Sequence, residues 1–456
     1  MATRPSMATR YRAARLTRTG IEDGTDRGVW ENRHVSTVLA SATELVGEKR
    51  REFAARNPQS ARLHDEARLV LPGGHTRTIL NHEPFPLTFV RGEGAVLFDA
   101  DGHEYVDLLG DYTAGLFGHG ERRVFDAVDS AMREIASVGG IHPYERRLAE
   151  LMCARFGLDR VRFTNSGTEA NLFAITTARM HTRRSKVLVF QGGYHGGVLF
   201  FATGGAPWNA PYPFVVASYN DLAGATELID EHADDLAAVL VEPMLGSGGC
   251  ISADAAFLRG LFAAARDAGA VAIADEVMTS RHGRAGLAAL LGAEPDLRTY
   301  GKYIGGGFSF GAFGGSAELM GQFDTSRPGA IPHAGTFNNN VATMAAGCIV
   351  LGELYTADVA EAHTARGERF RADVAGVLAR HALPVTVTGY GSMLAFHGDT
   401  PELQELLFLG LYLRGVYTAP RGMVNLSLPL TDEQLQASLA ALEDTLAELA
   451  QSSPSQ

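Results

Sequence analysis

Cysteine is nearly absent from this chain. There are three in 456 residues, Cys153, Cys250 and Cys348, about a hundred positions apart. They make no CxxC pair and no metal-ligand pattern, which excludes a disulfide framework and fits a reducing cytoplasm. Positive charge is also short: Lys and Arg total 40 against 52 Asp and Glu, a net charge of −12. That is the wrong sign for a nucleic-acid or anionic-membrane surface. No uncharged run approaches the ~18 apolar residues of a membrane span. The N-terminus, MATRPSMATRYRAARLTRTG, is Arg-rich but has no apolar h-region, so it does not read as a secretory signal. Residues 1–34 read as a flexible extension without chemistry. Hydrophobic residues at 46% and charged residues at 20% are near the globular average, so a large core is expected and global disorder is excluded.

What the chain has in excess is glycine. It has 52, about 11% against the roughly 7% of an ordinary domain. Glycine costs backbone entropy, so the surplus implies loops that approach something closely. A coarse pass along the chain places those loops. Apolar residues at helical spacing from Val35 to Arg56 predict an amphipathic helix. Asp101-Gly102 between β-formers predicts a hairpin over Ala95–Val106. Beyond Gly120, apolar runs (Val161–Phe163, Val187–Phe190, Phe214–Val216, Ala238–Val241, Ala270–Ala274) alternate with helical stretches such as Thr168–His181, Asn220–His232 and Ala255–Ala268. The expected fold class is α/β, with a mostly parallel sheet covered by helices. After Thr356 a helix, short strands (Val385–Val387, Met393–Phe396, Val424–Leu428) and a last helix from Thr431 predict a smaller α+β domain. The expected division is an extension (1–34), the N-terminal part of the small domain (35–109), a large domain (110–355) and the rest of the small domain (356–456).

Four glycine clusters fall at strand ends. In Phe163-Thr-Asn-Ser166-Gly167-Thr168-Glu169 a strand turns into a helix whose free amides and dipole suit a phosphate. An ordinary capping box of Ser166 with Glu169 explains the same residues. In Gly192-Gly-Tyr194-His195-Gly196-Gly197 an aromatic and an imidazole stand between glycine pairs, where a flat ligand or a plain turn would both fit. Ala274-Asp275-Glu276-Val277 sets two acids at a strand end, costly to bury unpaired and at the sheet edge where α/β proteins bind ligands. A magnesium ion or a cationic ring nitrogen would satisfy them. Tyr300-Gly301-Lys302-Tyr303-Ile304-Gly-Gly-Gly307 carries a Lys among apolar neighbours, where desolvation lowers its pKa and suits it to Schiff-base chemistry. It is no P-loop, since no Ser or Thr follows Lys302. Gly307-Phe-Ser309-Phe-Gly311 matches the GxSxG nucleophile elbow, but that elbow needs a strand before it and a helix after it. Together the clusters supply what pyridoxal phosphate requires: a phosphate cradle, a stacking aromatic, an acid for the ring nitrogen and a lysine 27 residues further on (302 − 275).

These residues resemble the class III, fold type I pyridoxal-phosphate aminotransferases, in the branch near the glutamate-1-semialdehyde aminomutases. The resemblance runs from about Leu71 to the C-terminus. It implies that Ser166, Gly167 and Thr168 hold the phosphate and that Tyr194 stacks on the ring. Asp275 would bind the ring nitrogen, Val277 would pack on the opposite face, and Lys302 would carry the cofactor covalently. His195 and Glu242 would belong to the same cofactor site. In His333-Ala-Gly-Thr336-Phe-Asn-Asn-Asn340 the resemblance implies that Thr336 reaches the phosphate of a second subunit, so the partner is a copy of the same chain. The strings Glu83–Thr88, Gly335–Asn340 and Pro420-Arg421-Gly422 are most similar to aminotransferases of aromatic β-amino acids such as β-phenylalanine. In them Arg77 and Arg421 would bind substrate carboxylates, with 2-oxoglutarate or pyruvate as acceptor and no metal. Solvated surface positions, the commoner fate of an arginine, are the alternative, but both lie in Gly/Pro-rich loops suited to line the mouth of a site, which favours the functional reading. Phe85, Phe89, Tyr112 and Phe310 are candidate pocket aromatics. An aminomutase-type isomerase, a racemase and a serine hydrolase through Ser309 are the alternatives.

Overall fold

The computed structural model describes residues 28–202 and 204–452. Most of the expected extension therefore lies outside the described residues. Its last part does not: a helix starts at Gly28 and runs to Arg56. The correction has a simple cause, because no proline interrupts residues 28–34.

The chain then builds β1 (Phe89–Glu93), β2 (Val96–Asp99) and β3 (Glu104–Asp107), an antiparallel meander. Gly102, with φ 89°, turns β2 into β3 as the Asp-Gly signal predicted. The next strands are β4 (Arg160–Thr164), β5 (Lys186–Phe190), β6 (Phe214–Ala217) and β7 (Leu236–Val241). A short hairpin, β8 (Met244–Leu245) and β9 (Ile251–Ser252), precedes β10 (Val271–Asp275), β11 (Leu297–Gly301) and β12 (Gly311–Gly315). Seven of these form one sheet in the order β4-β12-β11-β10-β7-β5-β6, with β12 alone antiparallel to its neighbours. Helices Gly167–Thr182, Leu222–Glu231 and Ala255–Asp267 cover it. β7 and β10 are buried at every position, which is why they read as unbroken apolar runs.

The remaining strands are β13 (Val385–Tyr390), β14 (Met393–Gly398), β15 (Val416–Tyr417) and β16 (Met423–Asn425). β13, β14 and β16 make an antiparallel sheet, whereas β15 joins the first meander beside β3. Chain from both ends thus meets in the smaller part of the molecule. Its core unites Val46 with Phe370, Leu394, Leu411 and Leu446. β16 stops three residues before the expected end of its strand.

The sequence pattern missed β11 and β12. Gly-Ala-Phe-Gly-Gly reads as a loop, yet it is a central strand. A Cβ on Gly311 would lie 2.1 Å from the Ser166 carbonyl oxygen, and one on Gly315 would lie 2.3 Å from that of Asp296. Neighbouring backbone leaves no room for a side chain, so packing overrides β-propensity here. β12 also removes the elbow reading of Ser309. The chain passes from a 3-10 turn, Lys302–Gly305, into β12, the reverse of the strand-to-helix turn an elbow requires.

Candidate active site

β4, β5, β7, β10 and β11 all end at one edge of the sheet, and the four glycine clusters follow those ends. Parallel strands deliver their C-terminal ends together, which is how positions more than a hundred residues apart become one site.

Asp275 closes β10 and is buried. One oxygen, Oδ2, accepts from Asn171 Nδ2 at 2.8 Å and from His195 Nδ1 at 2.8 Å. Oδ1 accepts from the Val277 amide at 3.0 Å, with Thr299 Oγ1 at 3.3 Å. Thr299 gives its one hydroxyl proton to Asn171 Oδ1 at 2.7 Å, so the partners brace one another. His195 is itself buried behind Asp275, and its Nε2 has no partner among the described residues. Glu276 points the other way. Its carboxylate accepts from Thr279 Oγ1 at 2.6 Å and from the Ala288 amide at 2.9 Å, at the start of helix Leu287–Leu290. Adjacent strand residues face opposite sides, so the two acids never form the pair a magnesium ion would need.

Ser166 caps helix Gly167–Thr182, its Oγ accepting from the Glu169 amide at 3.2 Å. The Glu169 carboxylate accepts from the Asn165 amide at 2.9 Å, one residue earlier than a capping box would use. The amides of Gly167 and Thr168 have no carbonyl partner within the helix, and the helix dipole adds to their positive potential. Close approaches tie this turn to the other clusters. A Cβ on Gly167 would meet Val277 at 2.8 Å, one on Gly301 would meet the same Val277 at 3.1 Å, and one on Gly196 would fall 2.2 Å from Thr168 Oγ1. Val277 is thus wedged between the helix start and the lysine loop.

Tyr194 stands 42% exposed between two left-handed glycines, its ring edge-on to Phe200. Its amide donates to Glu242 Oε2 at 2.9 Å, and the Gly246 amide donates to Glu242 Oε1 at 3.1 Å. Burial pushes the Glu242 carboxyl up to about 7. Lys302 follows β11 with φ 56°, a left-handed conformation that costs a non-glycine residue ~1–3 kcal/mol and gathers at functional sites. Burial pulls its ammonium below the usual lysine range, against the opposing charges of Asp111 and Asp275 and with help from Arg77.

The predicted arginines lie on loops. Arg77 Nη1 donates to Asp111 Oδ1 at 2.6 Å, and its guanidinium carbon lies 5.5 Å from the centre of the Tyr112 ring. Arg421 Nη1 donates to both the carbonyl and Oγ of Ser247 at 3.1 Å, at the tip of the β8–β9 hairpin. Both guanidinium charges oppose the burial that raises the phenols of Tyr112 and Tyr194. The two arginines therefore bear on the same pair of rings. Among the other aromatics, Phe85 packs on Phe53 and Phe310 on Phe163, both in the core. Phe89 lies edge-on to Tyr417. Thr336 stands apart. It is exposed in the loop His333–Asn340, which Asn338 Oδ1 ties to Asn165 Nδ2 at 3.0 Å.

Three residues that the sequence reading missed matter here: Asn171, Thr299 and Asp111. Asn171 carried a usable signal, an amide one turn inside an otherwise apolar helix face. Thr299 was hidden with β11, and Asp111 had no signal at all.

The aminotransferase class-III family matches residues 79–446. Beta-phenylalanine transaminase from Variovorax paradoxus is 45% identical over 417 residues, covering 88% of this chain and 96% of that protein. The crystal structure of a beta-phenylalanine aminotransferase from the same organism superposes with a TM-score of 0.87 at 44% identity, covering 89% of this chain and 98% of that one. A glutamate-1-semialdehyde 2,1-aminomutase from Heliobacterium modesticaldum is 35% identical over 85% of this chain and 96% of its own. A transaminase solved with PLP bound superposes with a TM-score of 0.82 at 30% identity, covering 88% and 99%. The chain therefore belongs to the class III aminotransferases and is a pyridoxal-phosphate enzyme of fold type I.

Proposed function

We propose that this aminotransferase takes its amino group from an aromatic β-amino acid of the β-phenylalanine type. It passes that group to 2-oxoglutarate or pyruvate, and the donor leaves as its β-keto acid. The observation that carries the substrate class is the pair of loop arginines: Arg77 lies over the Tyr112 ring, and Arg421 is bonded to Ser247 in the hairpin that Glu242 anchors. The activity named for the Variovorax relative supports the same class.

The residues suit the cofactor. Gly167, Gly196 and Gly301 let the helix start, the Tyr194 loop and the lysine loop close on one another, since a Cβ at any of them would press on Val277 or Thr168, and the helix start presents unpaired amides. The first-turn amides and the hydroxyls of Ser166 and Thr168 would hold the phosphate. Asp275 would keep the proton on the ring nitrogen, while His195, Asn171 and the Val277 amide hold three of its lone pairs so that it cannot turn away. Tyr194 and Val277 would pack against the ring, with Glu242 fixing the Tyr194 backbone. Bound pyridoxal phosphate supplies an amine-reactive aldehyde and an electron-accepting ring. Lys302 Nζ would attach the cofactor and, when free, would carry a proton from and back to the amine-bearing carbon of the substrate. Its lowered pKa makes a neutral amine available for that transfer. Arg77 and Arg421 bind carboxylates through paired N–H groups, which fix direction as well as charge.

The exposure of Thr336 and Phe337 fits a homodimer in which Thr336 supplies a ligand to the partner's phosphate. The reading includes a large cofactor domain (110–355) between two parts of a small one (35–109 and 356–456), and a cytoplasmic location. Among the described residues no single helix is long and apolar enough to cross a membrane. A donor panel of α-amino acids, β-amino acids and aryl-alkyl amines, with each acceptor, tests the substrate. Glutamate or alanine formed fastest from β-phenylalanine is expected. No product from any β-amino acid would overturn the reading, and an isomer that retains its amine would replace it with an aminomutase.

A further inference from the structure

We infer that Asp111 is a positioning residue for the substrate carboxylate: it fixes the direction in which Arg77 presents its guanidinium. The inference rests on Arg77 as a carboxylate holder.

The first observation is the backbone. Asp111, Tyr112 and Thr113 have φ values of 42°, 52° and 80°, three successive non-glycine residues in the left-handed region. Asp tolerates that region, but Tyr and Thr do not favour it. The loop is forced into shape from below. Asp107 Oδ1 accepts from the amides of Leu109 and Gly110, each at 2.9 Å, while Oδ2 faces His119 Nε2 at 3.0 Å.

The second observation is what the strained loop touches. Asp111 takes the side chain of Arg77, and the Tyr112 hydroxyl donates to the Ile79 carbonyl oxygen at 3.2 Å. Neighbouring residues of one loop thus grip residues 77 and 79 of another. That second loop needs the grip. It follows Gly73 and Gly74, both left-handed, and Arg77 is exposed.

The third observation is that stability does not account for the contact. Arg77 and Asp111 side chains are 46% and 55% exposed, and ion pairs this wet contribute little. Burial of Tyr112 and Thr113 holds the strained turn, so the exposed Asp111–Arg77 contact is not what folds it and points to function instead. Asp111 uses one Nη1 bond, which leaves the Nε–Nη2 edge of the guanidinium free for a two-point contact with an incoming carboxylate. The Tyr112 ring beneath restricts the remaining rotation.

Calorimetric binding of 3-phenylpropanoate, a carboxylate without the reactive amine, tests this with the holoenzyme. D111A should raise Kd about tenfold, as expected when a binding group is misaimed rather than removed. D111N keeps an acceptor and should recover most of that loss. In an R77A background D111A should change Kd less than about twofold, because the residue it aims is gone. Equal loss in both backgrounds would overturn the inference, since Asp111 would then act through the loop alone. Tighter binding by D111A would also overturn it, making Asp111 a competitor of the substrate. If R77A itself leaves Kd unchanged, the carboxylate role of Arg77 fails instead. D111G, which suits the left-handed backbone, guards against misfolding and should behave as D111A.

Discussion

The two halves of the site are built differently. At the strand ends Asp275 and Glu242 are buried, and each accepts hydrogen bonds at both of its oxygens. On the loop side Arg77 and Arg421 are exposed, and each is bonded through a single Nη1. A buried carboxylate must be saturated, because an unpaired one costs several kcal/mol. An exposed guanidinium can leave N–H groups to water and so to a ligand. The difference teaches where each task sits: constant chemistry on rigid strand ends, substrate choice on loops that a few bonds aim.

That contrast can be broken. Lys302→Ala should lower kcat/KM by at least ~10⁴-fold, since nucleophile and proton carrier are lost together. Single-turnover kinetics and loss of borohydride-reducible cofactor absorbance would check it. Asp275→Ala should follow at ~10²–10³-fold, mainly in kcat, the range for a removed electrostatic partner. Arg77→Ala and Arg421→Ala should raise KM for carboxylate substrates about 10- to 100-fold, the worth of a charge-assisted bond of this class, and lower kcat far less. If either arginine variant lost kcat as severely as Asp275→Ala, the division between the halves would fail.

The smallest effect concerns Glu242 and stability. Its carboxyl is pushed from 4.5 up to about 7 by burial, so the folded state holds that proton more tightly than the unfolded chain. The stabilising contribution is therefore full below about 4.5 and lost as pH rises through about 7. Glu242→Gln stays neutral, so its melting temperature should fall less than that of the parent over this interval. Parallel curves for the two proteins would show that Glu242 is not the titrating group.

Much of the strand-end half was legible beforehand. β5, β7 and β10 announce themselves as apolar runs, and the glycine-polar clusters after them mark where the chain leaves the sheet. β12 was illegible because its glycines answer to the Ser166 and Asp296 backbones across the sheet, which no local window contains. Glu276 looked like the twin of Asp275, but strand alternation sends it to cap another helix. On the loop side, Arg77 could be picked out only by resemblance. Its partner Asp111 could not be picked out at all, because the contact spans 34 residues and a strained turn.

By itself the sequence determined the layered fold, the strand ends that carry Ser166, Tyr194, Asp275 and Lys302, and the flat phosphorylated ligand they imply. Those features are local: hydrophobic period, turn chemistry and a lysine among glycines. The tertiary structure alone decided which of two adjacent acids faces the site, which helix residues brace it, and where each arginine points. Those outcomes depend on side chains meeting across long stretches of chain. Their energies come from burial and from orientation, and neither exists until the sheet has closed around them.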